Sequence, residues 1–333
     1  MAALQRSWGG RGIRQGVAAL CALLATVVQA QAWPEGHKSI QLVVGNAAGG
    51  GTDVVARILG AQLQRQLQHT VVVDNRPAAS GTLAVSWVAR APHDGHTLLI
   101  SPITLVTTPH VMGPATGASA VNVLTDVQPV VQISEGTLLL MAPMESNARA
   151  VRSLLQGGPA GGSVSYGTPG TGTPMHIAGE LLQRASGLPL THVPYKGVAP
   201  ALSDLLGGHV GLVFSDLASA KSYIDGGKLR AVGVTQAQRS PLLPQVPTLT
   251  EQGLPVALNT WFGVFAPAGL APAQLQAINQ AFNQALAAPP VQQALRQLGE
   301  VPVGGAATTF AQRVQRDFAQ FGEQVQAFGI RQP

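Results

Sequence analysis

The chain has 333 residues, 46% of them hydrophobic, and a formal net charge of +5 that is unevenly placed. Three of its 20 basic residues, Arg6, Arg11 and Arg14, precede the apolar run "GVAALCALLATVVQA", which ends in "AQA". Basic, apolar and small residues in that order form a secretory signal, with cleavage expected after Ala32.

A membrane anchor is the alternative, but about 15 apolar residues fall short of the roughly 20 that span a bilayer. Leu20 stands where a lipid-modified Cys21 would need a small residue, so a soluble, exported, periplasmic chain beginning at Trp33 is expected. Without the signal, Lys and Arg fall from 20 to 17 against 15 Asp and Glu, a net charge of about +2. The basic balance therefore argues for no nucleic-acid partner. Cys21 is the single cysteine, so the mature chain has no thiol for a disulfide, a metal or nucleophilic work. About 300 residues suggest two domains.

Short β-branched runs alternate with helical stretches. "SIQLVVG" is followed by a helix over Asp53 to Leu67, "HTVVVDN" by one over Gly81 to Ala91, and "HTLLIS" by a further helix-like stretch. A second series starts near "GTLLLMAP" and "GSVSYGTPG". It continues with a helix over Pro174 to Ser186, "LTHVPYKG", a helix over Ala199 to Leu206, "HVGLVFSD", and a helix over Leu217 to Asp225. After "KLRAVGVTQ" come a Pro-rich passage, "TWFGVFAPAG" and two amphipathic helices, Pro272 to Ala288 and Thr308 to Phe328. The alternation predicts α/β units around a mainly parallel sheet. Two such series, with a return to the first, predict two lobes and a cleft, although no repeat of fixed period is visible.

In "AAGGGTD" the glycines free the backbone, Thr52 or Asp53 is placed to cap the next helix, and the open amides of its first turn attract an anion. A plain helix cap is the competing reading. Nucleotide motifs fail on residue identity, because Gly51 stands where a P-loop needs lysine and "GGGTDVVA" is no G-x-G-x-x-G. "YGTPGTGTPMH" repeats the pattern: Thr168, Thr171 and Thr173 offer hydroxyls, and Pro174 suits a first helical turn. His176 is either an anion-facing donor or a packing residue. Tyr195 and Lys196 in "PYKG", Ser215 and Asp216 in "VFSD", and Ser101 and Thr104 in "LLISPIT" also fall at strand ends, where α/β sheets bind ligands. His93 and His96 flank the turn-forming "DG" and are assigned to a solvated loop. No G-x-S-x-G elbow, H-E-x-x-H or metal-ligand spacing supports an enzyme.

Seven blocks, from "SIQLVVGNAAGGGTDVVARILGAQL", "VVVDNRPAASGTLA" and "SYGTPGTGTPMHIAGELL" to "THVPYKGVAPALSDLLGGHV" and "WFGVFAPAG", resemble in order and spacing the Bug family. These are extracytoplasmic solute-binding proteins of tripartite tricarboxylate transporters. The resemblance implies an α/β, two-lobed, type II-like periplasmic binding protein of the Venus-flytrap kind. Residues 33–135 plus 234–333 would form one lobe and residues 136–233 the other. It implies capture of a small carboxylate between the lobes, a membrane permease as partner, a monomer, and no cofactor or metal. Carried onto this chain, the ligand loops comprise Ala48, Gly49, Gly50, Thr52, Asp53, Ser80, Ser101 and Thr104 in one lobe. Thr168, Gly170, Thr171, Gly172, Thr173, His176, Tyr195, Lys196, Gly197 and Asp216 supply the other. This chain departs from the family at "GNAAGG" in place of "PFAPGG", at "NRPAASG" in place of "NRPGAGG", and at Pro174-Met175. A binding partner of a membrane sensor kinase, using the same cleft, is the alternative; an exported enzyme is a third.

Overall fold

The computed structural model describes residues 33–77, 81–112, 121–145, 151–156 and 163–330. The first series reads β1 Ile40–Val44, α1 Gly51–Leu67, β2 Val71–Asn75, α2 Thr82–Ala89, β3 Thr97–Pro102 and α3 Thr104–Met112. Next come β4 Val127–Gly136, β5 Leu138–Pro143 and α4 Val151–Gln156. The second series is β6 Val164–Thr168, α5 Pro174–Ser186, β7 Leu190–Pro194, α6 Val198–Leu206, β8 Leu212–Asp216, α7 Leu217–Asp225 and β9 Leu229–Val234. The chain then adds β10 Thr260–Pro267, α8 Pro272–Ala287, α9 Pro289–Gln297, β11 Glu300–Pro302 and α10 Ala307–Phe328.

Two sheets form, ordered β11-β4-β10-β3-β1-β2 and β7-β6-β8-β5-β9. Both are mixed rather than mainly parallel. β1 pairs in parallel with β2 and β3, and β6 with β7 and β8, whereas β4, β5, β9, β10 and β11 pair antiparallel. The alternation of runs carries the parallel βαβ units, but strands brought from elsewhere in the chain complete each sheet. The same shape appears twice: a central strand, then its successor on one side and the third strand on the other. In both sheets the strand order therefore reverses at the central strand, β1 or β6, which creates a crevice beyond its carboxyl end.

Side-chain alternation fills both faces of each sheet. Ile40, Leu42 and Val44 of β1 point to a core with Val55, Leu59 and Leu63 of α1 and Phe282 of α8. Val43 points the other way, to a core with Val88, Val106, Trp261 and Phe310. In the second sheet Leu140 and Tyr166 pack with Ala178 and Leu182 of α5, and Leu139 and Met141 with Leu202 and Leu205 of α6. Each such side chain contributes about 1.5–3 kcal/mol by burial. The C-terminal region holds three helices where two were expected, because Pro289 starts α9 immediately after α8. His96, assigned to a solvated loop, is only 4% exposed, its ring nitrogens meeting the carbonyls of Asp94 and Glu35.

The chain passes from the first sheet to the second through Thr137 alone. The Thr137 amide donates to Gly299, its carbonyl accepts from Leu217, and its hydroxyl meets that of Ser240 at 2.8 Å. The return passes Thr235, whose amide donates to Leu138 and whose hydroxyl donates to Leu258 at 2.6 Å. Thr137, Thr235 and Ser240 are buried, and the bonds just given occupy their side-chain hydroxyls. Among the described residues no helix is long and apolar enough to cross a membrane.

Candidate functional site

Every expected ligand loop follows a parallel strand. Residues 45–53 follow β1 and Ser101 to Thr104 lie at the end of β3. Thr168 to His176 follow β6, Tyr195 to Gly197 follow β7, and Asp216 ends β8. Ser80 lies outside the described residues, as does the expected cleavage after Ala32.

The loop after β1 closes on Asp53. Gly50, rather than Thr52 or Asp53, is the N-cap of α1, and it carries no side-chain cap. Asp53 instead occupies the third helical position and reaches back to accept from the Gly49 amide at 2.8 Å. Arg57, one turn later, donates to the same oxygen at 2.9 Å, and Asn75 at the end of β2 donates to the other at 3.0 Å. Asn75 also holds the Asn46 carbonyl, at 3.1 Å. The Arg57 bond outweighs the cost of burial and holds the Asp53 carboxyl down at about 2. Asp53 is thus an ion whose acceptors are taken by the protein. Among the described residues the amides of Gly51 to Asp53 have no such internal acceptor, as is general for a first helical turn without a side-chain cap, and the ladder begins with Val54 on the Gly50 carbonyl at 3.0 Å.

Gly45, outside the expected ligand set, is required by a close approach. A Cβ there would stand 2.7 Å from the Gly81 Cα, so the loops after β1 and β2 touch backbone to backbone.

The loop after β6 is built on two histidines. Thr173 caps α5, accepting from the His176 amide at 3.3 Å, with Pro174 in the first turn as its residue type suggests. His176 is buried, and its Nδ1 accepts the Gly172 amide at 3.0 Å. The neutral ring therefore carries its proton on Nε2, facing Glu180 Oε1 at 3.5 Å. His192 of β7 stacks on His176 with centroids 3.8 Å apart and meets the Thr168 hydroxyl at 2.7 Å. Burial, with His176 adjacent, pulls His192 down to about 4. Tyr166 donates to Glu180 at 2.7 Å, and burial drives its hydroxyl upward. Glu180 is held below the usual carboxylate range, chiefly by its bond to His176. His192, Glu180 and Tyr166 escaped the sequence reading. Only the i, i+4 spacing of His176 and Glu180 is a local signal.

The remaining positions differ in what they leave open. Tyr195 donates its hydroxyl to Asp204 at 2.7 Å, and burial with that bond pushes it up to about 12. Its amide donates to the Thr168 carbonyl at 2.9 Å, joining the loops after β6 and β7. Lys196 is exposed, and Gly197 is the uncapped N-terminus of α6. Asp216 spends both oxygens on Ser219, at 2.8 and 3.0 Å, as the cap of α7. Ser101 is buried with its hydroxyl on the Pro102 carbonyl, and Thr104 begins α3. Val111 of α3 bears on Gly172, so one contact joins the first series to the second beside the ligand loops.

Two sheets with crevices at their reversal points and two amide-lined loops define a two-lobed solute-binding protein of the periplasmic binding class. Residues 55–330 match the family described as "Tripartite tricarboxylate transporter family receptor". Protein BugT of Bordetella pertussis is 33% identical over 283 residues, covering 84% of this chain and 85% of that protein. The structure of R. palustris Rpa4515 with adipate has a TM-score of 0.75 and 31% identity, covering 90% and 99% of the two chains. MatC from Rhodopseudomonas palustris with bound malate has a TM-score of 0.70 and 29% identity, covering 86% and 98%. The chain belongs to this family of transporter receptors, the TctC or Bug proteins.

Proposed function

We propose that this protein captures a small aliphatic carboxylate and delivers it to a tripartite permease after export and removal of residues 1–32. The lobes are residues 33–135 plus 234–333 and residues 136–233, with Thr137 and Thr235 at the crossings. The observation that carries the reading is the repeated arrangement at β1 and β6. After each central strand a side chain of the following helix, Asp53 or His176, holds one loop amide, and neighbouring amides, those of Gly51 to Asp53 and of Thr171, are left for an anion. Amides bind carboxylates through charge-assisted hydrogen bonds without a buried cation. Several of them supply the roughly 8 kcal/mol that micromolar affinity needs. A carboxylate touching both loops favours the state in which the lobes close on it.

The experiment is calorimetric titration of the purified protein with mono-, di- and tricarboxylates, malate and adipate included, beside amino acids and sugars. Saturable binding of a carboxylate is expected. Binding of a neutral sugar with silence across all the acids would overturn the reading.

A further inference from the structure

The two ligand loops carry the same clamp, built from different residues. In α1 the third helical residue, Asp53, accepts from the amide four positions earlier, that of Gly49; in α5 the third helical residue, His176, accepts from the amide four positions earlier, that of Gly172. Each acceptor is held from one turn further along its helix, Asp53 by Arg57 at 2.9 Å and His176 by Glu180 at 3.5 Å. Each is also held from the next parallel strand, Asp53 by Asn75 of β2 through a hydrogen bond and His176 by His192 of β7 through the ring stack.

We propose that His176 is a positioning residue which takes the Gly172 amide out of use, so that Thr171 becomes the donor the second lobe presents to a carboxylate. The inference rests on the carboxylate reading of this loop and deepens it. Most other donors of the loop are consumed; among the described residues the Met175 amide, in the first turn of α5, is the other one with no acceptor shown. The Gly170 amide lies on the Thr168 hydroxyl at 3.3 Å, the Thr173 amide on the Gly170 carbonyl at 3.4 Å, and the His176 amide on the Thr173 hydroxyl at 3.3 Å. The Thr173 hydroxyl itself donates to Gly170, at 2.8 Å. Among the described residues, Thr171, partly exposed, has neither its amide nor its hydroxyl in a hydrogen bond, so one residue offers a carboxylate two donors. Gly172 is fixed from two sides, by His176 and by Val111, where any side chain on Gly172 would collide. Thr171 is thereby oriented from its neighbour, and His192 ties the start of the loop, Thr168, to the same stack.

The test compares His176→Asn, whose side-chain oxygen keeps an acceptor near the place of Nδ1, with His176→Leu, which keeps bulk without an acceptor. Full-length variants are titrated calorimetrically with malate and adipate, and amide hydrogen exchange at Gly172 is followed by NMR. His176→Leu is expected to weaken binding of the bound probe by roughly tenfold to a hundredfold and to lose protection at Gly172. His176→Asn is expected to stay within about threefold and keep that protection. Thr171→Val should weaken binding while leaving Gly172 protected. Equal losses in Asn and Leu would mean that the ring itself touches the ligand, and full affinity in Leu would mean that the clamp is idle; either overturns the proposal. If wild type bound no carboxylate, the functional reading would fail, and Gly172 exchange would still decide whether His176 holds the loop.

Discussion

Asp53 tests the physical account of the first ligand loop most directly. Replacing it with asparagine preserves size but removes the charge, and turns an amide donor toward the Gly49 amide, Arg57 or Asn75, all of which donate to Asp53 now. The native carboxyl lies at about 2 against an ordinary 3.8. Each unit corresponds to about 1.4 kcal/mol. Arg57 is 54% exposed at its side chain, so solvent screens its share and the network contributes on the order of 1–2 kcal/mol at neutral pH. The sign follows from the folded value being the lower one. The contribution is complete above the unfolded value near 4 and is lost as pH falls from there through about 2. Asp53→Asn should therefore lower the melting temperature by roughly 2–3 °C at pH 7. The gap from wild type should narrow progressively as the pH is taken below 4, followed by circular dichroism. Loosening Gly49 should also weaken malate or adipate binding, by about tenfold. A variant that melts with wild type at pH 7, or a gap that holds unchanged to the lowest pH at which both fold, would refute the reasoning.

Gly172→Ala places a methyl against Val111 at a backbone φ of +76°, and should cost about 1–3 kcal/mol, measured by urea unfolding. Combining it with Val111→Ala should recover only the steric part, because the backbone penalty remains. Glu300 is pushed up to about 7 by burial, with Asp216 and Glu135 adding repulsion and the Ser134 hydroxyl, 2.6 Å away, opposing them. A raised carboxyl destabilises the fold increasingly as pH rises from about 4.5 to 7, and by a constant amount above. Glu300→Gln should accordingly stabilise the protein by roughly 1–3 kcal/mol at pH 8 and by little at pH 4.5, read from denaturant midpoints at the two values.

The βαβ alternation was legible because each unit writes its own signals: β-branched runs of five or six residues, a glycine-rich break, then apolar residues at helical spacing. α5 begins at Pro174 and α7 at Leu217 as read, since Thr173 and Asp216 are N-caps that act within three residues. The first helix was read as starting at Asp53 because an acidic residue before an apolar run resembles a cap. In the fold it starts at Gly51, and Asp53 serves the loop behind it. The mixed sheets were not legible. β10 enters between β3 and β4 from more than a hundred residues away, and nothing local in "TWFGVFAP" states a direction. The site divides in the same way. Thr168, Thr173 and His176 share one turn and could be grouped from sequence, whereas His192 joins them only through strand pairing, with Tyr166 opposite His192 in register.

The doubled arrangement explains why no repeat was visible. β1-α1-β2-α2-β3 and β6-α5-β7-α6-β8 share strand order and the placement of the clamp, yet one clamp is an ionised carboxylate with a guanidinium and the other is an imidazole with a carboxylate. What the geometry requires is an acceptor on the third helical residue, aimed at the amide four before it, and aspartate and histidine Nδ1 satisfy that equally. Their charges differ, and so does their effect on an anionic ligand. Asp53 brings a negative charge into the first loop and is offset by Arg57, while His176 turns its proton toward Glu180 and adds no charge of its own to the second loop. Such a site constrains the hydrogen-bonding role of the third helical residue rather than its identity. Each lobe is thus free to change its clamp so long as one amide is held and its neighbours are left for the ligand, a constraint that sequence comparison between the lobes does not register.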